Sequence, residues 1–268
     1  MSRQPIEVAF ERRGQGDPLV LLHGIGHRWQ AWEPVLDLLA ARHDVIALDL
    51  PGFGRSPLLP EGRGYEMPSA VAACAEVFED MGLDRPHVAG NSLGGVLSLE
   101  LASRGLVRSA TALAPAGFWT RWDRVWALAV LRMIRQSGRL PLGSAVLRWK
   151  YPRMAAASLL YGRPSRMTAE TMLGDLVAMV GAPAFDLVAA AGRNYVYASP
   201  PPTVPATVGW GTRDRILWPR QARRAAEALP RARHVWLDRC GHVPMVDDPD
   251  QVAALILATC DAASPAAA

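Results

Sequence analysis

Residues 87–96 read "HVAGNSLGGV", a single serine set among Gly90, Gly94 and Gly95 directly after a short apolar run. Two structures fit these letters: a flexible surface loop, or a strained turn that presents a nucleophile. The flanking segments decide between them. "HVAG" reads as a strand, and Ser92 to Ser103 as a helix. Between a strand and a helix, a residue at a sharp turn stands above the sheet edge. The positions two before and two after it must then be small, because side chains there would strike the adjacent strand and helix. Gly90 and Gly94 meet that demand, and Gly95 allows the helix to pack close.

Outward from this turn, the same alternation repeats. "IEVAFERRG", "PLVLLHG", "HDVIALDL", "SATALAPAG", "PATVGWG" and "RHVWLD" read as further strands, several of them apolar throughout, as strands covered on both faces must be. Helical segments fall at about 29–42, 69–81, 219–229 and 249–260. Alternating strands and helices predict an α/β fold with a mostly parallel sheet. The alternation breaks at residues 118–204, which read as helices with no strand. That stretch also carries eleven Arg or Lys against four Asp or Glu, a balance of +7 in a chain whose net charge is +4. The expected organisation is a core of residues 1–117 and 205–268 interrupted by a helical insert. In its first helix Trp119, Trp122, Trp126, Val130 and Met133 share one face, with Arg121, Arg124, Arg132 and Arg135 opposite. The expected packing is apolar side inward and basic side in water, with a lid helix meeting an amphiphilic substrate or a membrane surface as the alternative.

Composition excludes several classes. Basic residues are scattered and not in runs, which argues against nucleic acid. No apolar stretch is long enough for a membrane span, so no stable membrane insertion is expected. The start "MSRQPIEVAF" lacks a signal-peptide pattern, and three cysteines (Cys74, Cys240, Cys260) have no metal-type spacing. A reduced, cytoplasmic protein is expected. Lys150 is the sole lysine and alanine is abundant, as in proteins of GC-rich bacterial genomes.

A serine hydroxyl needs a base to attack at neutral pH. Of six histidines, His242 follows the last strand and so lies at the carboxyl edge, where the Ser92 turn opens. His87 and His234 begin strands at the other edge, His43 sits in a turn, and His27 reads as a surface or loop residue. Asp214 follows "PATVGWG" at the same edge as His242 and is the expected acid. Asp238 is its rival, four residues before His242. Oxyanion donors are expected from the backbone N–H groups of Leu93, after the serine, and Ile25, in the loop after "PLVLL".

Together "LVLLHGIG", "DLPGFGRS", "GNSLGG", "WGTRDRI" and "CGHVPMVDDPDQVAALI" resemble the α/β-hydrolase fold family, in its order and spacing. The resemblance implies an eight-stranded, mostly parallel sheet flanked by helices, with residues 118–204 as an all-helical cap domain, and neither metal nor organic cofactor. It implies a Ser92–His242–Asp214 triad acting on a small-molecule substrate. Hydrolysis of a carboxylic ester leads. Carbon–carbon bond hydrolysis, acyl transfer and a non-catalytic binding module on the same fold are the alternatives. Trp119, Trp122, Trp126, Trp149, Tyr151 and Met154 suggest an apolar pocket roof.

Overall fold

The computed structural model describes residues 4–140 and 143–263. In chain order the elements are β1 (Phe10–Arg13), β2 (Pro18–Leu22), α1 (Glu33–Ala40), β3 (Asp44–Leu48), α2 (Met67–Asp80), β4 (His87–Asn91), α3 (Leu93–Ser103) and β5 (Ser109–Leu113). Five helices follow without a strand: α4 (Arg121–Arg139), α5 (Gly143–Val146), α6 (Lys150–Ala157), α7 (Ala169–Gly181) and α8 (Phe185–Ala191). The chain closes with β6 (Ala206–Gly211), α9 (Arg220–Ala228), β7 (Arg233–Leu237), α10 (Pro244–Asp247) and α11 (Pro249–Asp261).

The strands form one sheet in the order β1-β3-β2-β4-β5-β6-β7, parallel except for β1 against β3. Seven strands are present among the described residues, one fewer than the resemblance implies. Among the described residues before Phe10 there is no further strand, and the Ala9 N–H is taken by Ser56 Oγ (2.8 Å) instead of a strand partner. The central strands β4, β5 and β6 are buried along their whole length, and apart from His87 and Asn91 at the ends of β4 their residues are small or apolar, Thr and Trp210 included. Edge strands β1 and β7 alternate or stay open to water. Side chains of β2 alternate between two cores. Leu19 and Leu21 pack with Trp32, Leu36 and Ile256 on one face, and Val20 and Leu22 with Val71, Val77 and Leu101 on the other.

Strand order reverses between β2 and β4. From β2 the chain moves to β3 on one side, and from β4 to β5 on the other. Such a switch point opens a crevice above the carboxyl ends of the two strands, because their following loops diverge. The loop after β2 carries Ile25, and the turn after β4 carries Ser92. Leu22 pairs with Gly90 in register, so the two connections start side by side.

Two buried histidines give the fold an acid sensitivity. His23 Nδ1–H donates to Gly24 O (2.7 Å), and its Nε2 accepts from Leu50 N–H (3.0 Å), which ties the β2 loop to the β3 loop. Burial pushes its pKa down to about 3, and that of His87 to about 4, where the charges of His43 and Arg108 add. Unfolded, both titrate near 6.5, so between that value and 3–4 the unfolded chain binds more protons. Their stabilisation is complete above about pH 6.5 and is lost as pH falls through this window, by up to about 1.4 kcal/mol per pH unit for His23 and by less for the less deeply buried His87. Denaturant midpoints measured down the acid range should therefore fall, and His87→Asn should reduce the slope. A midpoint that stays flat to about pH 4.5 contradicts the assignment.

Candidate active site

Ser92 occupies the turn between β4 and α3 with φ 56° and ψ −109°, a region that non-glycine residues rarely enter. Its conformation is held by three backbone bonds: Ser92 N–H to Leu113 O (2.9 Å), and Val96 and Ala116 N–H to Ser92 O (3.0 and 3.1 Å). The glycines are required as the sequence suggests. A Cβ on Gly90 would lie 2.0 Å from Gly94 O, and one on Gly94 2.0 Å from Leu22 O. Backbone atoms of the sheet and helix cannot retreat from such contacts.

The strained turn aims the start of α3 at the crevice. Leu93 is the first residue of that helix, so its N–H has no partner one turn back. Across the crevice, Gly24 to His27 make a tight turn closed by His27 N–H to Gly24 O (3.1 Å), with Gly26 at φ +79°. That turn leaves the Ile25 N–H free, and among the described residues neither Ile25 nor Leu93 donates its N–H within the chain.

Asp214 follows β6 and is buried. Its Oδ1 accepts from the N–H groups of Ile216 (2.9 Å) and Leu217 (2.8 Å), which fixes the carboxylate plane. The other oxygen, Oδ2, faces His242 Nδ1 at 2.9 Å. With Nδ1 engaged, Nε2 is the open nitrogen of the ring. Its ring lines a cavity of about 260 Å³ together with Ser92, Gly24, Ile25 and Asn91. No hydrogen bond joins Ser92 Oγ to His242 among the described residues. In ligand-free sites such bonds are commonly long and tighten when substrate binds. Asp238 is exposed, and the one bond it makes is through its backbone carbonyl to Cys240 Sγ–H, so it does not compete for His242.

The His242 loop is anchored by groups that the sequence reading did not identify. Asn91 Nδ2 donates to His242 O (2.8 Å) and Leu113 O (3.1 Å), so the residue beside the serine also places the histidine. His242 and Val243 N–H both donate to Leu160 O, in the helical segment. Asp247, fully buried, accepts from Gly241, Gly162 and Arg163 N–H at 2.7–2.8 Å. Nothing in "VPMVDDP" marks Asp247 as different from Asp248, because two of its donors lie some eighty residues away.

A family model for the alpha/beta hydrolase family matches residues 19–255. The chain belongs to that family. An epoxide hydrolase of Mycobacterium tuberculosis is 32% identical over 200 residues, covering 71% of this chain and 94% of the relative. A pimeloyl-[acyl-carrier protein] methyl ester esterase of Aeromonas hydrophila is 40% identical over 97 residues, 36% of each chain. Among solved structures, a membrane phospholipase A described as a bacterial virulence factor superposes with a TM-score of 0.76 at 27% identity, over 97% of this chain and 85% of the other. The protein is a hydrolase by family and fold.

Above Ser92 the hydrolase holds a second, larger cavity of about 650 Å³, with walls from Ile25, Leu93, Val96, Trp119, Leu128, Leu131, Val188 and Tyr195 among others. No carboxylate or cation lines it. The helices between β5 and β6 supply much of this wall, and Trp119 is held there by Nε1–H to Tyr195 O (2.8 Å). Of the other aromatic residues expected in the roof, Trp122, Trp126, Trp149 and Tyr151 are exposed. The expected packing of α4 is likewise reversed at one position of its basic face, while Arg121 is exposed as expected. Arg135 is buried, with its guanidinium on Met179 O, Ala182 O and Asp186 and stacked over Phe185.

His27 is a further correction. It is buried, not superficial, and lines the small cavity beside Ser92 and His242 with its Nδ1 unpartnered. Burial pushes its pKa down, Asp175 opposes that, and the neighbouring His242 adds to the lowering. Its position on the turn at the sheet's switch point is the signal that could have found it. "DLPGFGRS" is structural: Asp49 accepts from Trp29 N–H (2.7 Å) and Arg55 N–H (2.9 Å), pinning the loops on either side of the crevice. Among the described residues, no three His, Cys, Asp or Glu side chains cluster as a metal site, and the three cysteines are buried and free.

Proposed function

We propose that this hydrolase cleaves carboxylic esters of apolar or amphiphilic small molecules through an acyl-enzyme on Ser92. The observation that carries the reading is His242 Nδ1 held by Asp214 at 2.9 Å, in a ring that shares its cavity with Ser92. In the proposed first step, His242 Nε2 takes the Ser92 hydroxyl proton as Oγ attacks the ester carbon. Ile25 and Leu93 N–H receive the carbonyl oxygen as it becomes an oxyanion. When the intermediate collapses, the alcohol leaves with the proton from His242. Water, activated by the same Nε2, then releases the acid. Asp214 stays ionised and keeps the proton on Nδ1, so that Nε2 can accept. On this reading, residues 118–204 act as a cap on a core of residues 1–117 and 205–268.

The identity to an epoxide hydrolase raises a second reading. Epoxide opening through a covalent intermediate calls for a carboxylate, because alkylated carboxylate is an ester that water can cleave. A serine alkylated by an epoxide becomes an ether, which a histidine-activated water does not cleave. Residue 92 is a serine, and neither cavity wall carries a carboxylate. Ester cleavage therefore fits the side chains better.

The test pairs a fluorophosphonate probe with nitrophenyl esters of increasing acyl length and with styrene oxide. Labelling should fall on Ser92. Each acyl CH₂ buried in the apolar cavity contributes about 0.8 kcal/mol, roughly fourfold, so octanoate should exceed acetate by at least about tenfold in kcat/KM. Absence of both Ser92 labelling and ester turnover, or turnover of styrene oxide alone, would overturn the proposal.

A further inference from the structure

Helix α4 is apolar on two faces. Ala127, Leu128 and Leu131 point inward and line the cavity over Ser92. On the opposite side Trp122, Val125, Trp126, Met133 and Leu140 are exposed, the first of them 73% accessible. With Ala129, the residues from Trp122 to Met133 form a stripe along the helix for about 17 Å, and Leu140 follows beyond the exposed Gln136 and Ser137. A helix on a water-facing surface places such residues inward and polar ones outward. Here two of its charged groups are inside, while Arg121, Gln136 and Arg139 face water. Asp123 is buried beneath the first turn, where it closes a capping box with Thr120 and takes Arg220 and Arg224, and Arg135 is buried against α7 and α8. An exposed apolar patch of this extent marks an interaction surface.

The residues around the stripe indicate what covers it. Helix α5 packs on α4 and leads into Trp149 and Tyr151, both more than 70% exposed. Arg121 and Arg139, at the two ends of α4, and Arg148 and Lys150 are also exposed. Of the four acidic residues in this segment, Asp123 and Asp186 are paired with arginines, which leaves Glu170 and Asp175 against the larger number of cations. The uncompensated charge is therefore positive. An apolar stripe edged by Trp, Tyr and Arg has the composition of an interfacial helix: its apolar row enters the acyl boundary, its aromatic rings sit among headgroups, and its guanidinium groups meet phosphate. A second copy of the chain would bring Arg121, Arg139, Arg148 and Lys150 against the same cations of its partner, which disfavours self-association. Among the described residues no single helix is long and apolar enough to cross a membrane.

We propose that the outer face of α4, with Trp149 and Tyr151, docks on an anionic lipid surface. Its inner face roofs the cavity over Ser92, so docking brings this wall of the cavity to the lipid surface. Docking is independent of the chemistry at Ser92, and it is tested without turnover. The chain is sedimented with phosphatidylcholine vesicles, with and without phosphatidylglycerol, at low and high salt. Wild type should bind the anionic vesicles, with a blue shift in tryptophan emission, and should release as salt rises. Trp122→Ser with Val125→Ser and Met133→Ser, all exposed, should weaken partitioning by at least about tenfold without loss of folding. Replacing Arg121, Arg139 and Arg148 by Gln should weaken it by about fivefold per charge, on anionic vesicles only. Wild type that ignores anionic vesicles, or a triple variant that binds as tightly as wild type, would overturn the proposal. So would a wild-type dimer that the triple variant converts to monomer without any vesicle binding, since the stripe would then be a self-interface.

Discussion

Ser92→Ala should lower kcat/KM on any ester the protein turns over by about four orders of magnitude or more, with the fold and substrate binding retained. The change removes one oxygen from a side chain that makes no hydrogen bond among the described residues, so no packing or capping interaction is lost with it. What remains is a turn whose strain is supported by the backbone bonds of Ser92 to Leu113, Val96 and Ala116, all of which alanine can make. Alanine also retains the Cβ, so the conformational cost at φ 56° is unchanged. Residual activity should reflect the Ile25 and Leu93 donors, and fluorophosphonate should no longer inhibit it. The measurement is single-turnover and steady-state kinetics on the nitrophenyl ester chosen by the acyl-length series, with thermal melting as the fold control. Retention of more than about a tenth of the activity would place the covalent step elsewhere.

The sheet is legible in the sequence because a strand covered on both faces tolerates little but small and apolar residues, and β2, β5, β6 and the middle of β4 obey that rule. Ser92 and His242 are legible because a strand's polarity fixes which end is which, and a residue following a strand lies at the carboxyl edge. The helical segment is harder for a physical reason. Periodicity assigns Trp122, Trp126, Val130 and Met133 to one stripe, but a helix roofing an apolar cavity has two apolar faces. The stripe then lies across the boundary between them: Val130 turns in, while Trp122, Trp126 and Met133 turn out. Arg135 fails in the mirror sense, because its partners Asp186, Met179 and Ala182 lie more than forty residues away. Asn91 and Asp247 share that limitation. Each anchors the His242 loop through backbone groups whose proximity exists only once the sheet and the helical segment have assembled.

The same folded geometry makes Asp214→Asn a sharper probe than removal of the side chain. Asn is isosteric with Asp, and the two donors on Oδ1, Ile216 and Leu217 N–H, will hold the amide oxygen where Oδ1 now sits. The amide nitrogen must then face His242 Nδ1 in place of Oδ2. Two N–H donors cannot share that contact, so the imidazole adopts the other tautomer, with Nδ1 accepting and the proton on Nε2. In that form the ring has no lone pair to offer Ser92. Loss of about four orders of magnitude in kcat is expected near neutral pH, the size seen when this exchange is made in serine proteases. KM should change little, because Asp214 lines neither the apolar cavity nor the oxyanion turn. Asp214→Ala should be less informative, since it strands two buried N–H groups and loosens the loop whose Arg215 carbonyl accepts from Trp126 Nε1 (2.8 Å). A near-normal kcat in Asp214→Asn, with an unchanged melting temperature, would remove Asp214 from the chemistry and leave His242 to be oriented by its backbone anchors to Leu160 and Asn91 alone.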